Sequence, residues 1–233
     1  MGQGIMDTNG TIDGYERRRR NIRSQILDAT ASLIKTRGDT DMTVREVASC
    51  AGVSPATPFN HFKSKEGILN ALVARSMSDI YSHGVAEPET VMEGFRDITA
   101  YYISKQDIYQ PVFRLVLQAI PPRSHTLRTA IEEIKRRIEL EIQRGQLSPH
   151  AMPSVLAEQL ETFWFGTVIL WSGGTISSDE WMIRVELGVE LMLNAFYPDA
   201  FRAKSNRKLA KLQKQVSPIL DSLPSGSTRS TTD

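Results

Sequence analysis

The stretch Thr43-Val44-Arg45-Glu46-Val47-Ala48-Ser49-Cys50-Ala51-Gly52-Val53-Ser54-Pro55-Ala56-Thr57-Pro58-Phe59-Asn60-His61-Phe62 decides how this chain folds. Thr43 followed three residues later by Glu46 is a capping box, in which each residue satisfies an orphan donor of the other. The helix it opens carries Val44, Val47 and Ala48 on one side and ends near Gly52. A glycine there can take the left-handed turn conformation that a side chain resists. Ser54 caps a second short helix, with Pro55 at the first position, where a missing N–H costs nothing. Residues 43–62 therefore read as helix, tight turn, helix. Pro55, Ala56, Thr57, Phe59, Asn60 and His61 are presented near the start of the second helix. Such an end can enter a major groove.

Working outward, the pattern stays helical. Upstream, Ile22, Ile26, Ala29, Leu33 and Ile34 recur at helical spacing, and Gly38 supplies the stop. Downstream, apolar residues keep that spacing over 65–83, 88–105, 107–120, 124–144, 153–172 and 178–197. No segment shows a strand alternation bounded by hairpin turns. The expected fold class is all-α, with about nine helices. Residues 1–14, without periodicity, read as a flexible arm.

Two helices are unusual. Residues 155–171 and 181–197 are apolar most of the way round, and such a helix must be covered on two sides. The alternatives are a central helix of the monomer core and a subunit seam. With two such helices in succession the reading favours a seam, a bundle about a two-fold axis. Its expected residues are Leu160, Val168, Trp181, Val185, Val189 and Met192.

Composition sets limits. The chain has 233 residues, 40% hydrophobic and 24% charged, with one cysteine and a net charge of +1. The charge is uneven: +3 over 1–65, −6 over 66–197 and +4 over 198–233. Basic ends around an acidic middle suggest that one end meets a polyanion. The densest run is Arg17-Arg18-Arg19-Arg20, with Arg23 close behind. A single cysteine excludes an internal disulfide and fits a reducing, cytoplasmic location. No apolar run reaches the ~18–20 residues that cross a bilayer, so no membrane partner is expected. The four histidines are widely separated, without zinc-ligand spacing, and no phosphate-binding glycine loop is present. No enzyme activity, metal or cofactor is expected.

The stretch Ile26-Leu27-Asp28-Ala29-Thr30, then Thr43 through Gly52, then Val53 through Glu66, resembles the TetR family of transcriptional regulators. The resemblance covers residues 20–72. It implies a homodimeric repressor whose helix–turn–helix domains grip a palindromic DNA operator, and a C-terminal domain that binds a small-molecule effector. The domains are then 15–65 for DNA, 66–197 for ligand binding and dimerisation, and a basic tail over 198–233. The resemblance places Arg45 as a base reader and Thr43 and Lys65 at phosphate contacts. Pro55, Ala56 and Thr57 fall at the variable reading positions. Phe59 stands where a tyrosine is usual and Pro58 where a leucine is usual, so α-helical continuity after Pro55 is in question. With Arg17 and Arg18 from the basic run, Phe59, Asn60 and His61 complete the expected DNA-binding set. Tyr102, Phe113, Leu117, Phe163, Trp164 and Trp171 are candidates to line an apolar ligand pocket, or are plain core. A second functional class is a DNA-binding architectural or cell-division protein without small-molecule control. The tail has three readings: extension of the last helix, wrapping of DNA, or fraying.

Overall fold

The structure is a computed structural model that describes the backbone of residues 8–82, 89–117 and 125–221. Side chains are described for 14–80, 89–117 and 128–217. These residues form ten α-helices: α1 (Thr8–Arg37), α2 (Val44–Cys50), α3 (Ala56–Phe62), α4 (Lys65–Ser82), α5 (Val91–Ser104), α6 (Gln106–Val116), α7 (His125–Gln143), α8 (Pro153–Ser172), α9 (Ser178–Asn194) and α10 (Asp199–Asp221). No strand occurs among the described residues. None of their helices is long and apolar enough to cross a membrane.

Nine of the ten follow the apolar spacing. The tenth, α10, lies in the basic tail and buries Ser205, Leu209, Leu212 and Val216, one helical stripe. At the other end, α1 begins at Thr8, inside the segment expected as a flexible arm. No proline interrupts residues 8–37, and adding a turn to a formed helix costs far less than starting one. Residues 1–7 of that arm and 222–233 of the tail lie outside the described residues.

The helices gather into two compact units. The first holds α1–α4 and α6. The boundary expected at residue 65 therefore differs from the packing, because α4 and α6 join the helix–turn–helix rather than the helices that follow. Ile26 and Ile34 of α1, Val47 of α2, Phe62 of α3, Leu69 and Leu72 of α4 and Val112 of α6 supply its core. Pro111 sits inside α6, where it removes one backbone donor.

The second unit holds α5 and α7–α10. Here α9 packs against α5, α8 and α10. That corrects part of the seam reading. Leu160, Val168, Trp181, Val185 and Val189 are all 0% exposed and face their own unit. Met192 is half-buried. The sequence makes α9 look uncovered only because the helix that covers it, α10, has few apolar residues. The apolar side chains that α8 and α9 leave to solvent are Val155, Ile169, Leu170 and Leu191.

Tryptophans organise this interior. Trp171 and Trp181 stack at 4.2 Å between centroids, and Trp164 lies 6.1 Å from Trp181. Each indole N–H has a hydroxyl acceptor. Trp164 donates to Thr99 (3.0 Å), Trp181 to Thr167 (2.9 Å) and Trp171 to Ser178 (3.1 Å). Thr99 and Thr167 pass their own protons to the carbonyls of Phe95 and Trp164. A buried donor left without a partner costs about 1–3 kcal/mol. Thr167→Val keeps the shape but strands the Trp181 N–H, so urea denaturation should show a loss of about that size.

Candidate nucleic-acid interface

The helix–turn–helix is held from its first residue. Thr43 takes extended backbone angles and caps α2. Its hydroxyl accepts the Glu46 N–H (3.2 Å) and donates to the Glu46 carboxylate (2.9 Å). The Thr43 N–H donates to the same carboxylate (2.7 Å). The predicted capping box is complete. Glu46 also forms an ion pair with Arg37, tying the end of α1 to the start of α2. The Arg37 guanidinium, with the Thr43 donors, holds the Glu46 carboxyl at about 2, below its ordinary 4.5.

Gly52 turns the chain with φ of +64°, the conformation expected there. The Val53 N–H then donates back to the Ala48 carbonyl (3.0 Å). Pro55 already has helical angles, φ −56° and ψ −28°. Ser54 departs from the expectation: its hydroxyl pairs with the Thr57 hydroxyl (2.7 Å) and caps no backbone N–H. Pro58 is buried in the first turn of α3, where its absent N–H has no intrahelical partner to lose. The helix runs unbroken to Phe62.

These constraints fix what α3 shows to solvent. Pro55, Ala56, Phe59, Asn60 and Lys63 are exposed, one continuous face opposite buried Pro58 and Phe62. Thr57 is half-buried beneath Ser54. Arg45 is exposed on the first turn of α2, with no hydrogen bond or ion pair to another described residue. Arg17 and Arg18 are exposed on α1. Lys65 is half-buried, and its ammonium donates to the Thr40 carbonyl (3.1 Å). Thr43 is exposed, but its hydroxyl proton is committed to Glu46, so it reaches a phosphate only by leaving the cap.

His61 is placed differently from the rest of the set. It is half-buried, and its Nδ1 is enclosed without a hydrogen-bond partner among the described residues. Burial, then the charges of Arg23 and Arg19, push its imidazole below the usual value. Arg23 is the residue the sequence underplayed. Its guanidinium donates to the His61 carbonyl (2.9 Å) and lies 4.3 Å above the Phe62 ring. Its place on the apolar side of α1, four residues after Arg19, was the available signal. Lys63 ends α3 at φ +70°, an unusual conformation for a residue with a side chain.

The expected pocket residues divide between the units. Phe113 is buried and Leu117 half-buried in the first. Tyr102, Trp164 and Trp171 are buried in the second, where Tyr102 and Trp164 lie 6.0 Å apart. Phe163 is half-buried over Gly188, so closely that a Cβ there would strike its ring. One buried polar group was not singled out from the sequence. Glu161 of α8 is 7% exposed, has no hydrogen bond to a described residue, and burial raises its carboxyl to about 7.

The Glu46 geometry has a pH consequence. A carboxyl lowered by folding stabilises the folded state above its unfolded pKa, and that stabilisation is lost as pH falls through the folded value. The melting temperatures of the native chain and Glu46→Gln should differ above pH 4.5 and converge as pH approaches about 2.

Residues 26–72 match the family model for bacterial regulatory proteins of the tetR family. The uncharacterised HTH-type transcriptional regulator YvkB of Bacillus subtilis is 38% identical over 60 residues, 26% of this chain and 32% of that protein. The HTH-type transcriptional repressor KstR2 of Rhodococcus jostii is 32% identical over 59 residues, 25% of this chain and 29% of that protein. The matched stretch thus spans about a third of the length of these relatives. A TetR-family transcriptional regulator from Pectobacterium atrosepticum shares the fold, with a TM-score of 0.61 at 19% identity, covering 78% of this chain and 96% of that one. Residues 26–72 thus carry the helix–turn–helix domain of the tetR family of bacterial regulatory proteins, and the all-helical fold is the one seen in a TetR-family regulator.

Proposed function

We propose that the protein is a homodimeric transcriptional repressor that grips a palindromic operator and leaves it when a small, largely apolar ligand binds. The exposed face of α3, with Arg45 beside it, carries this reading. It follows the capped helix α2 and the Gly52 turn, and it presents exposed side chains to solvent. Arg45 suits a guanine edge, whose two acceptors match its fork. Ala56 and Phe59 offer apolar contact to a thymine methyl. Lys65 retains ammonium protons beyond the one given to Thr40, enough for a phosphate. The relative named a repressor supports the sign of control.

Two copies would meet through the outer faces of α8 and α9. Thr162, Gly166, Ile169 and Leu170 of α8 form an exposed stripe, and Leu191 stands exposed on α9. Exposed apolar side chains aligned along a helix favour a partner surface. The effector belongs to the second unit in this reading. All three indole N–H groups there are already hydrogen-bonded, so a ligand accommodated among those rings has no donor to satisfy.

Selection of bound genomic fragments, followed by gel shift with a panel of apolar metabolites, tests the whole reading. An inverted repeat and release by a metabolite support it. Indifference across the panel favours an architectural DNA-binding role without small-molecule control. On the selected site, Arg45→Ala should cost about 1–3 kcal/mol and relax preference at one base pair, while Lys65→Ala should weaken all sequences alike. Equal losses for Arg45→Ala on specific and random duplexes would remove its base-reading role. Ile169→Asp with Leu191→Asp should give monomers in sedimentation. Charges at Val168 or Val189 should instead unfold the second unit, because those side chains lie in its core.

A further inference from the structure

The basic tail forms a helix with two opposed faces. Ser205, Leu209, Leu212 and Val216 are buried in the second unit, and α10 packs on α9. Lys208 reaches back to an ion pair with Glu190 of α9. Lys204, Arg207, Lys211 and Lys214 are exposed, with no hydrogen bond or ion pair to another described residue. At about 100° per residue these four fall within an arc of about 80°, turned away from the buried stripe. They span about 15 Å of helix axis.

This chain builds an ordinary solvated helix differently. On α7, Glu132 pairs with Lys135 (3.4 Å), and Glu133 with Arg136 (2.9 Å) and Arg137 (3.0 Å). On α10, residues 200–217 contain no Asp or Glu at all. Lys204 and Arg207, Arg207 and Lys211, and Lys211 and Lys214 stand at the helical spacings where like charges repel. The helix keeps this repulsion and holds it rigidly through its packing on α9.

We infer that the outer face of α10 is a second, sequence-independent contact for the phosphate backbone of duplex DNA. The chemistry of the face selects this partner. Its other exposed members are Ala200, Ala203 and Gln215, so it offers charge and almost nothing else. A stable protein–protein interface needs an apolar centre. Insertion into a bilayer surface needs a continuous free apolar face, and on α10 the apolar stripe is covered, leaving Phe201 as the exposed large apolar side chain among its described residues. A duplex backbone needs only spaced cations. The inference goes beyond the operator reading of α2 and α3 and does not rest on it.

The test uses the full chain and the variant Lys204→Gln/Arg207→Gln/Lys211→Gln/Lys214→Gln. Affinity for a random-sequence duplex is followed by fluorescence anisotropy as salt is varied. Each phosphate contact contributes about 0.9 to the slope of log affinity against log salt, so with all four cations engaged the variant should flatten it by about 3.6. At low salt the native chain should bind about 10- to 100-fold more tightly than the variant. Its circular dichroism and melting should stay native, since none of the four side chains is buried or paired. A control neutralising Lys135 and Arg136 on α7 should leave the slope nearly intact. An unchanged slope in the α10 variant, or an equal drop in the control, overturns the inference. So does an effect of the variant seen only on phosphatidylglycerol vesicles, or only on self-association in sedimentation. Operator binding with base preference intact in the α10 variant would leave the reading of α2 and α3 standing in every case.

Discussion

The reciprocal bonding between Thr43 and Glu46 is the constraint on which the first unit turns. One carboxylate gathers the Thr43 N–H, the Thr43 hydroxyl and the Arg37 guanidinium. Three donors from two elements converge on two oxygens, so the end of α1, the start of α2 and the direction of the chain between them are fixed together. The left-handed Gly52 then sets where α3 departs, and Arg23 fastens α3 to α1 from the other side through the His61 carbonyl and the Phe62 ring. A seven-residue helix has too few internal hydrogen bonds to persist alone. It is kept by what surrounds it, and its outward face inherits that rigidity.

The second unit solves a different problem. Three tryptophans bring large apolar area inside together with three N–H donors that must not be stranded. The chain places threonine or serine hydroxyls beside them, and two of those hydroxyls return their protons to helix carbonyls in the same interior. Aromatic packing and polar satisfaction are thereby coupled across α5, α8 and α9. Gly188 belongs to the same arrangement, since the missing side chain makes room for the Phe163 ring between α8 and α9.

Much of this was legible in the sequence because local rules and tertiary demands agree there. The capping box, the Gly52 turn and the helical spacings each depend on neighbours within four residues, and each is realised. Tertiary choices were less visible. Nothing local tells that α4 and α6 pack with the helix–turn–helix, or that Val185 and Val189 meet their own chain rather than a second copy. Helix α10 escaped because its apolar stripe is thin and one member, Ser205, is polar. The role of Arg23 escaped because a cation over an aromatic ring joins residues 39 positions apart. Ser54 shows the reverse failure: a residue well suited to cap a helix end found a side-chain partner instead.

Glu161 gives the second unit a chemical character of its own. Its carboxyl rests near 7 when enclosed and near 4.5 when the chain is open, because burial alone disfavours its charge. Between those two values the enclosed state carries a proton that the open chain has released, so closing this interior consumes hydrogen ions. Alkalinity therefore works against the unit while mild acidity spares it, opposite in direction to the carboxylate that anchors α2. A single chain thus contains two acids whose demands on the medium pull apart, one at the start of α2 and one deep among the tryptophan-bearing helices.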